Sequence, residues 1–314
     1  MPPPLSTQPG SICQPDARKG THLPAHAIAD PSHDSELQAV HALQVAQPVA
    51  DLLQTAVDDA VQYVLDGART WRFNLLDPKV DSDERSSVGT KLQYHVIDQL
   101  GLKKVPPLDT EIAGVAVEIK GTVRNETAPW MIPKEGQCQV TMLIQIDPHK
   151  HRFAVWLMRT HRAWLNGGKG NQDQKRSPLV DPFRAYSLPL VPWTELPSQP
   201  LNLLDFAQLE VVFGTLGLKK RAVALFTYLP NVVIPRSSLV TVGAGLRDPM
   251  KRLREAKEPL RADRDLIVLV GKWVDERESA LAFGHVIGPE DWVAVPRKLF
   301  TETGTKGPPP RLRD

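Results

Sequence analysis

Two cysteines, Cys13 and Cys138, are all that 314 residues hold. That pair by itself makes neither a disulfide framework nor a zinc site. Long apolar runs are missing too: none approaches the roughly 18 residues of a membrane span. Net charge is nearly absent, 38 Lys+Arg against 36 Asp+Glu giving a formal +2. The opening Met1-Pro2-Pro3-Pro4 has no basic segment leading into an apolar stretch, so no signal peptide is expected. No Gly-x-Ser-x-Gly motif or Ser-His-Asp order points to acyl transfer. Gly167-Gly168-Lys169-Gly170 lacks the spacing and the following Ser/Thr of a phosphate loop, and reads as a plain loop. With 41% hydrophobic residues the chain has enough apolar material for a core, in one large domain or two ordinary ones. The expectation is a soluble cytoplasmic protein with no membrane partner.

Residues 1–47 hold seven prolines and little periodicity, and read as a disordered tail. Its His22, His26, His33 and His41 are conceivable metal ligands, but no tight spacing supports that, and solvated histidines are the expectation. Order is expected from Pro48. Val49, Leu52, Leu53, Ala56, Val57, Ala60, Val61, Val64 and Leu65 recur at helical spacing, with Gly67 as a stop. A second helix is expected from Ser86 or Ser87 to Leu100, striped by Val88, Leu92 and Val96, with Gly101 after it. Val115, Val117 and Ile119 alternate as in a strand, and Val140–Ile146 and Arg152–Met158 are two more, joined by a turn at 147–150. This predicts two helices, a mostly antiparallel sheet and further helix over 48–190. Pro189, Pro192, Pro197 and Pro200 suggest a linker at 191–200. Over 201–302, Leu201–Leu218 reads as helix, Val240–Val242 as a short strand or a helix end, Met250–Lys257 as a basic helix and Leu266–Val270 as a buried strand. Helices followed by a strand pair suit a winged helix. Residues 303–314 are expected to fray.

The stretch richest in chemistry runs from Asp109 to Lys120. If Ala113-Gly114 is a two-residue hairpin turn, Ile112 pairs with Val115 and Asp109 faces Glu118. Directly opposed residues share a face, with Cβ atoms about 4.5–5.5 Å apart. Glu118 and Lys120, two apart, share that face as well. Two facing carboxylates repel unless a cation lies between them, and oxygen ligands of this kind suit Mg2+. Lys120 would then orient or deprotonate a water, or neutralise charge in a phosphoryl transition state. An ordinary solvated strand face with a Glu–Lys pair has the same spacing.

Several ordered segments resemble one family. Gly67-Ala68-Arg69-Thr70-Trp71-Arg72-Phe73-Asn74 resembles a G-x-R-T-x-R-aromatic-N segment. Gly89-Thr90 opens the second helix, and Glu111-Ile112-Ala113-Gly114-Val115 leads to an acidic-x-Lys signature at Glu118 and Lys120. Ala128–Pro133, Asn171–Arg176 and Asp248–Arg254 follow in matching order. Across roughly residues 60–295 the chain resembles the NaeI family of type II restriction endonucleases, whose nuclease domain has the PD-(D/E)xK fold. The resemblance implies an α/β (α+β) nuclease domain, a mixed sheet flanked by helices, followed by a winged-helix-like DNA-binding domain. It implies Asp109 and Glu118 as Mg2+ ligands and Lys120 as the catalytic lysine. Where the family's signature has Asp this chain has Glu118, and where its second helix carries a further catalytic Glu this chain has Gln93, which adds no negative charge but can still accept a hydrogen bond from a metal-bound water, or is an ordinary surface helix residue, so a second metal site is not implied.

The same resemblance implies hydrolysis of double-stranded DNA to 5′-phosphate and 3′-hydroxyl ends, and cutting a palindrome in both strands needs two symmetric active sites, so a homodimer is expected. It further implies a second, effector copy of DNA and a cognate methyltransferase in the system. Basic residues are concentrated in two stretches: seven Lys/Arg against two acids over 151–190, and eleven against four over 219–264. Such patches suit a phosphate backbone. By residue type, Asn171, Lys175 and Arg176 are candidate sequence readers. Arg69 and Arg72 are candidate phosphate contacts, and Lys251, Arg252 and Arg254 form a basic helix. A repair or structure-specific nuclease of the same fold, and a DNA-binding regulator with a decayed nuclease face, are the alternatives.

Overall fold

The computed structural model describes residues 12–13, 25–28, 30–124, 130–166, 174–214, 216–244 and 249–302. The loop at 167–170 and the tail at 303–314 lie outside the described residues. The chain forms two units: Met1–Leu65 with Leu75–Pro197, and Asp66–Asn74 with Ser198–Asp314.

The first unit opens with two short strands, β1 (Ile12–Cys13) and β2 (His26–Ala27), paired antiparallel. Helix α1 (Ser35–Val45) follows, within residues read from sequence as tail. Its amphipathic stripe is thin, because Leu37 and Val40 are its buried apolar residues. Local capping and an ion pair add what the stripe lacks: Asp34 caps the Leu37 amide at 3.0 Å and binds the Arg159 guanidinium. Helix α2 (Val49–Leu65) forms where its stripe predicts, burying Leu53, Ala56, Val57, Ala60 and Leu65. The turn α3 (Gly67–Thr70) belongs to the second unit.

Helix α4 (Ser82–Gln99) starts four residues before the first expected position, Ser86. Asp81 and Glu84 form a reciprocal capping box there, so cap chemistry extends the helix past its apolar stripe. At the other end Gly101 takes φ 62°, with Gly101 N–H donating to Asp98 and Leu102 N–H to Ile97, a Schellman closure.

The sheet is five-stranded, in the order β3 (Thr110–Ile112), β4 (Val115–Val123), β5 (Val140–Asp147), β6 (Arg152–Arg159), β7 (Leu188–Glu195). β4 and β5 are parallel and the other neighbours antiparallel, so the sheet is mixed. One face packs on α2 and α4 through Val117, Ile119, Met142 and Ile144. The other carries an aromatic cluster of Trp130, Trp164 and Tyr186 with Leu143 and Met158. Helix α5 (Val180–Tyr186) supplies Tyr186. A mixed sheet flanked by helices in this way matches the core of a PD-(D/E)xK nuclease.

The proline run is a correction to the sequence reading. Pro189 and Pro192 lie in β7 rather than in a linker. β7 is an edge strand, where a missing N–H leaves no ladder bond unmade on the open side.

In the second unit, a 3₁₀ turn at Pro200–Leu203 precedes α6 (Phe206–Phe213) and α7 (Leu218–Tyr228). The single helix expected over Leu201–Leu218 is therefore broken, with Asp205 and Gln208 forming a second capping box at the start of α6. Strand β8 (Val233–Ile234) leads into α8 (Arg236–Val242), so Val240–Val242 is a helix end. The expected basic helix, Met250–Lys257, is α9 (Pro249–Arg254), which stops three residues short, and Lys257 opens the next helix, α10 (Lys257–Asp263). Strand β9 (Leu266–Val270) is wholly buried, as its apolar run predicts. Then come α11 (Val274–Ala282), β10 (Trp292–Pro296) and α12 (Leu299–Glu302). The strands form an antiparallel sheet in the order β8-β10-β9. Among the described residues no helix is long and apolar enough to cross a membrane.

Candidate active site

Ala113 and Gly114 both have positive φ, 53° and 75°, as a tight primed hairpin turn requires. The pairs Ile112↔Val115, Glu111↔Ala116 and Thr110↔Val117 follow. The ladder ends at Thr110, and continuing its register by one residue would set Asp109 opposite Glu118. The Asp109 carboxylate turns onto the neighbouring backbone and accepts the Ile119 N–H at 2.9 Å. Val117 and Ile119 point into the core, which leaves Glu118 and Lys120 on the opposite face.

Asp109 and Glu118 are both buried. Lys120 Nζ lies 2.5 Å from Glu118 Oε1 and 4.0 Å from Asp109 Oδ2, and Lys104 Nζ lies 3.7 Å from Asp109 Oδ1. Burial pushes the Glu118 carboxyl above its ordinary value, and the hydrogen bond from Lys120 only partly offsets this. The donors are hard carboxylate oxygens, whose charge Lys104 and Lys120 partly counter. Oxygen donors of this kind suit Mg2+.

Lys120 also lines a cleft of about 600 Å³ together with Arg85, Gln93, Arg124 and Lys175. Four cations and no carboxylate among its lining residues make this an anion-accepting surface. Its floor depends on two glycines: a Cβ on Gly89 of α4 would fall 2.6 Å from the Gly121 carbonyl oxygen on β4. Opposite Glu118 lies Gly136, where an added Cβ would sit 3.1 Å from Glu118 Cγ.

The structure thus brings Asp109, Glu118 and Lys120 together, and sets Gln93 and Lys175 on the cleft that Lys120 enters. Arg176 is buried, with its backbone bridged to Ile132. Asn171 lies outside the described residues. Arg69 is exposed and pairs with Asp66 at 3.3 Å, while Arg72 is half-buried, both in the second unit. Lys251, Arg252 and Arg254 are exposed on α9, with Arg252 paired to Glu255 at 3.0 Å. Sequence reasoning missed Lys104, Arg85 and Arg124. Arg85 had a signal, because Arg85, Gly89 and Gln93 recur every four residues and share one helix face. Much of the first basic stretch is structural: Arg159 binds Asp34 and Glu36, and Arg162 is buried against Gln137.

A family model described as "Restriction endonuclease NaeI" matches residues 37–313. The chain belongs to the NaeI restriction endonuclease family. No curated protein matches the chain. The NaeI family consists of type II enzymes of the PD-(D/E)xK superfamily. That membership supports an endonuclease acting on double-stranded DNA, and agrees with the mixed sheet and the cationic cleft described above.

Proposed function

We propose that this NaeI-family chain is a sequence-specific endonuclease that hydrolyses phosphodiester bonds in double-stranded DNA with Mg2+. The observation that carries the reading is the gathering of Asp109, Glu118 and Lys120 at the edge of a cleft lined by cations. Asp109 and Glu118 are the residues that would hold Mg2+. When bound, the cation supplies positive charge against the phosphate and acidifies water.

The chain's own groups then divide the work. Arg85, Arg124 and Lys175 draw the DNA backbone into the cleft. Lys120 directs its ammonium at the charge that builds on the phosphoryl oxygens as water attacks in line. The new bond joins the water oxygen to phosphorus as the phosphorus–O3′ bond breaks; the water releases one proton to solvent and O3′ takes one up, so the ends are 5′-phosphate and 3′-hydroxyl. Gln93 accepts or donates one hydrogen bond at the cleft wall and adds no charge there.

The second unit is assigned to DNA binding. Its helices alternate with the strands of a small antiparallel sheet, which supports a winged-helix-like reading, and exposed Lys251, Arg252 and Arg254 give it a cationic helix. It would hold the effector copy of DNA. Cutting a two-fold symmetric site in both strands calls for two symmetric active sites, hence a homodimer. A partner methyltransferase would protect host DNA. The test is incubation of the full chain with supercoiled and linear DNA with and without Mg2+. Discrete Mg2+-dependent fragments are expected. Nicking only at mispairs would indicate a repair nuclease, and binding without cleavage a regulator; either result overturns the proposal.

A further inference from the structure

Away from the cleft, four side chains with soft or borderline donor atoms converge. Cys13, His26, Cys138 and His161 each offer one ligand atom, and these atoms all lie within 4.8 Å of one another. The sulfurs of Cys13 and Cys138 are 3.6 Å apart, and His26 Nε2 lies 3.0 Å from His161 Nδ1. A tetrahedral Zn2+, bound at about 2.3 Å to sulfur and about 2.0 Å to nitrogen, sets its sulfurs about 3.8 Å and its nitrogens about 3.3 Å apart. Both observed separations fall a few tenths of an ångström short of these values.

The backbone builds this cluster from two matched halves. Cys13 and His26 are directly opposed partners in the β1–β2 ladder. Cys138 and His161 flank the β5–β6 pair, where Cys138 N–H donates to the Thr160 carbonyl at 2.8 Å. Each half contributes one thiol and one imidazole. Cys13, Cys138 and His161 are buried and His26 is half-buried. The Arg162 N–H points at Cys138 Sγ, 3.4 Å away, as amides do around metal thiolates. No carboxylate takes part in the cluster.

We propose that Cys13, His26, Cys138 and His161 form a structural Zn2+ site that staples the N-terminal β1–β2 ladder to the end of the central sheet. Four protein ligands fill the tetrahedron, so no position is left for substrate, which is the mark of a structural and not a catalytic zinc. Cys13 and His26 lie ahead of the family match at residues 37–313, so one half of the site is supplied from outside it. The other half reaches the active site. Cys138 ends the turn that carries Gly136, the residue packed on Glu118. Next to it Gln137 is gripped by the Arg162 guanidinium and donates to the Gln174 carbonyl at 3.0 Å, beside Lys175. The zinc would hold this turn in place.

The test is metal analysis of the full-length protein, purified without chelator and without a histidine tag. About one zinc per chain is expected to survive dialysis, falling below about a tenth in Cys13→Ser/His26→Gln. That double variant changes only the short ladder, so a circular dichroism spectrum close to wild type is expected. Stripped wild-type protein should take up Co2+ with the strong visible bands of tetrahedral coordination and a thiolate charge-transfer band. Mg2+ should neither compete for this uptake nor restore a melting temperature lowered by stripping. Three outcomes would overturn the proposal: folded wild-type protein that holds no zinc and yields no tetrahedral Co2+ spectrum, zinc content unchanged in the double variant, or recovery of Cys13 and Cys138 as a disulfide. Each readout is independent of DNA cleavage, so an inactive enzyme leaves the zinc result standing.

Discussion

The carboxylate–lysine corner and the thiol–imidazole cluster lie in the same unit and differ in the properties that select a cation. The first offers hard oxygens from Asp109 and Glu118, with Lys120 leading out into the cleft. Two carboxylates are too few to enclose an ion, so a bound Mg2+ would need phosphate and water to complete its shell. The second offers two sulfurs and two nitrogens within 4.8 Å of one another, enough donors for a tetrahedral shell. One arrangement leaves room for a reaction and the other removes it. The turn from Pro133 to Cys138 touches both, packing Gly136 on Glu118 and giving Cys138 to the cluster.

The contrast breaks most visibly at Lys120. Lys120→Ala is expected to slow plasmid cleavage about 10²–10³-fold while DNA retention in a gel shift and zinc content stay near wild type. Cleavage within tenfold of wild type would remove Lys120 from the mechanism. Gly136→Ala probes the shared turn. Its Cβ would crowd Glu118 Cγ at 3.1 Å, so about a tenfold loss of cleavage is expected with zinc retained. If zinc is lost as well, the turn transmits in both directions.

The two carboxylates separate next. Asp109→Ala strands the buried Ile119 N–H and should destabilise the Mg2+-free protein by about 1–3 kcal/mol in urea melts. Glu118→Gln removes a charge that burial already disfavours, and should raise the Mg2+-free melting temperature slightly at neutral pH. Because the folded Glu118 carboxyl sits above its ordinary value, its stabilising contribution is complete below that ordinary value and is lost as pH rises through the raised one. Melts of wild type and Glu118→Gln from pH 4 upward should therefore diverge across that window, with the variant the flatter. Parallel curves would mean that Glu118 is not strained by burial.

How much of each cluster was legible follows from sequence distance. The hairpin is local: once Ala113-Gly114 is read as the turn, the register carries Asp109 to Glu118 by counting. Helix α2 and strands β4 to β6 were legible for the same kind of reason, because each presents a strong period within one segment. The Cys/His cluster had no such signal. Its ligands run from position 13 to position 161, and Cys13 and His26 sit in a proline-rich stretch that reads as tail. Proximity there depends on β1–β2 docking at the end of the sheet, which no local pattern encodes. The reading of β7 failed differently: proline is a sound linker signal, and only the strand's place at the sheet edge makes it tolerable. Lys175 and Arg176 show the limit of reasoning by residue type, since neighbours in sequence became a cleft wall and a buried side chain.

The one parallel pairing in the sheet bears on the order of events during folding. β3–β4 and β5–β6 are both hairpins whose partners are near in sequence, and each can close early. The β4–β5 seam joins them only after the chain has crossed back to the starting edge, the slower kind of closure. Asp109, Glu118 and Lys120 ride on the first hairpin, and Cys138 and His161 flank the second. Arg85 and Arg124 belong to α4 and the end of β4 and can gather with that corner, so Lys175, far along the chain beyond β6, is the last cation to reach the cleft.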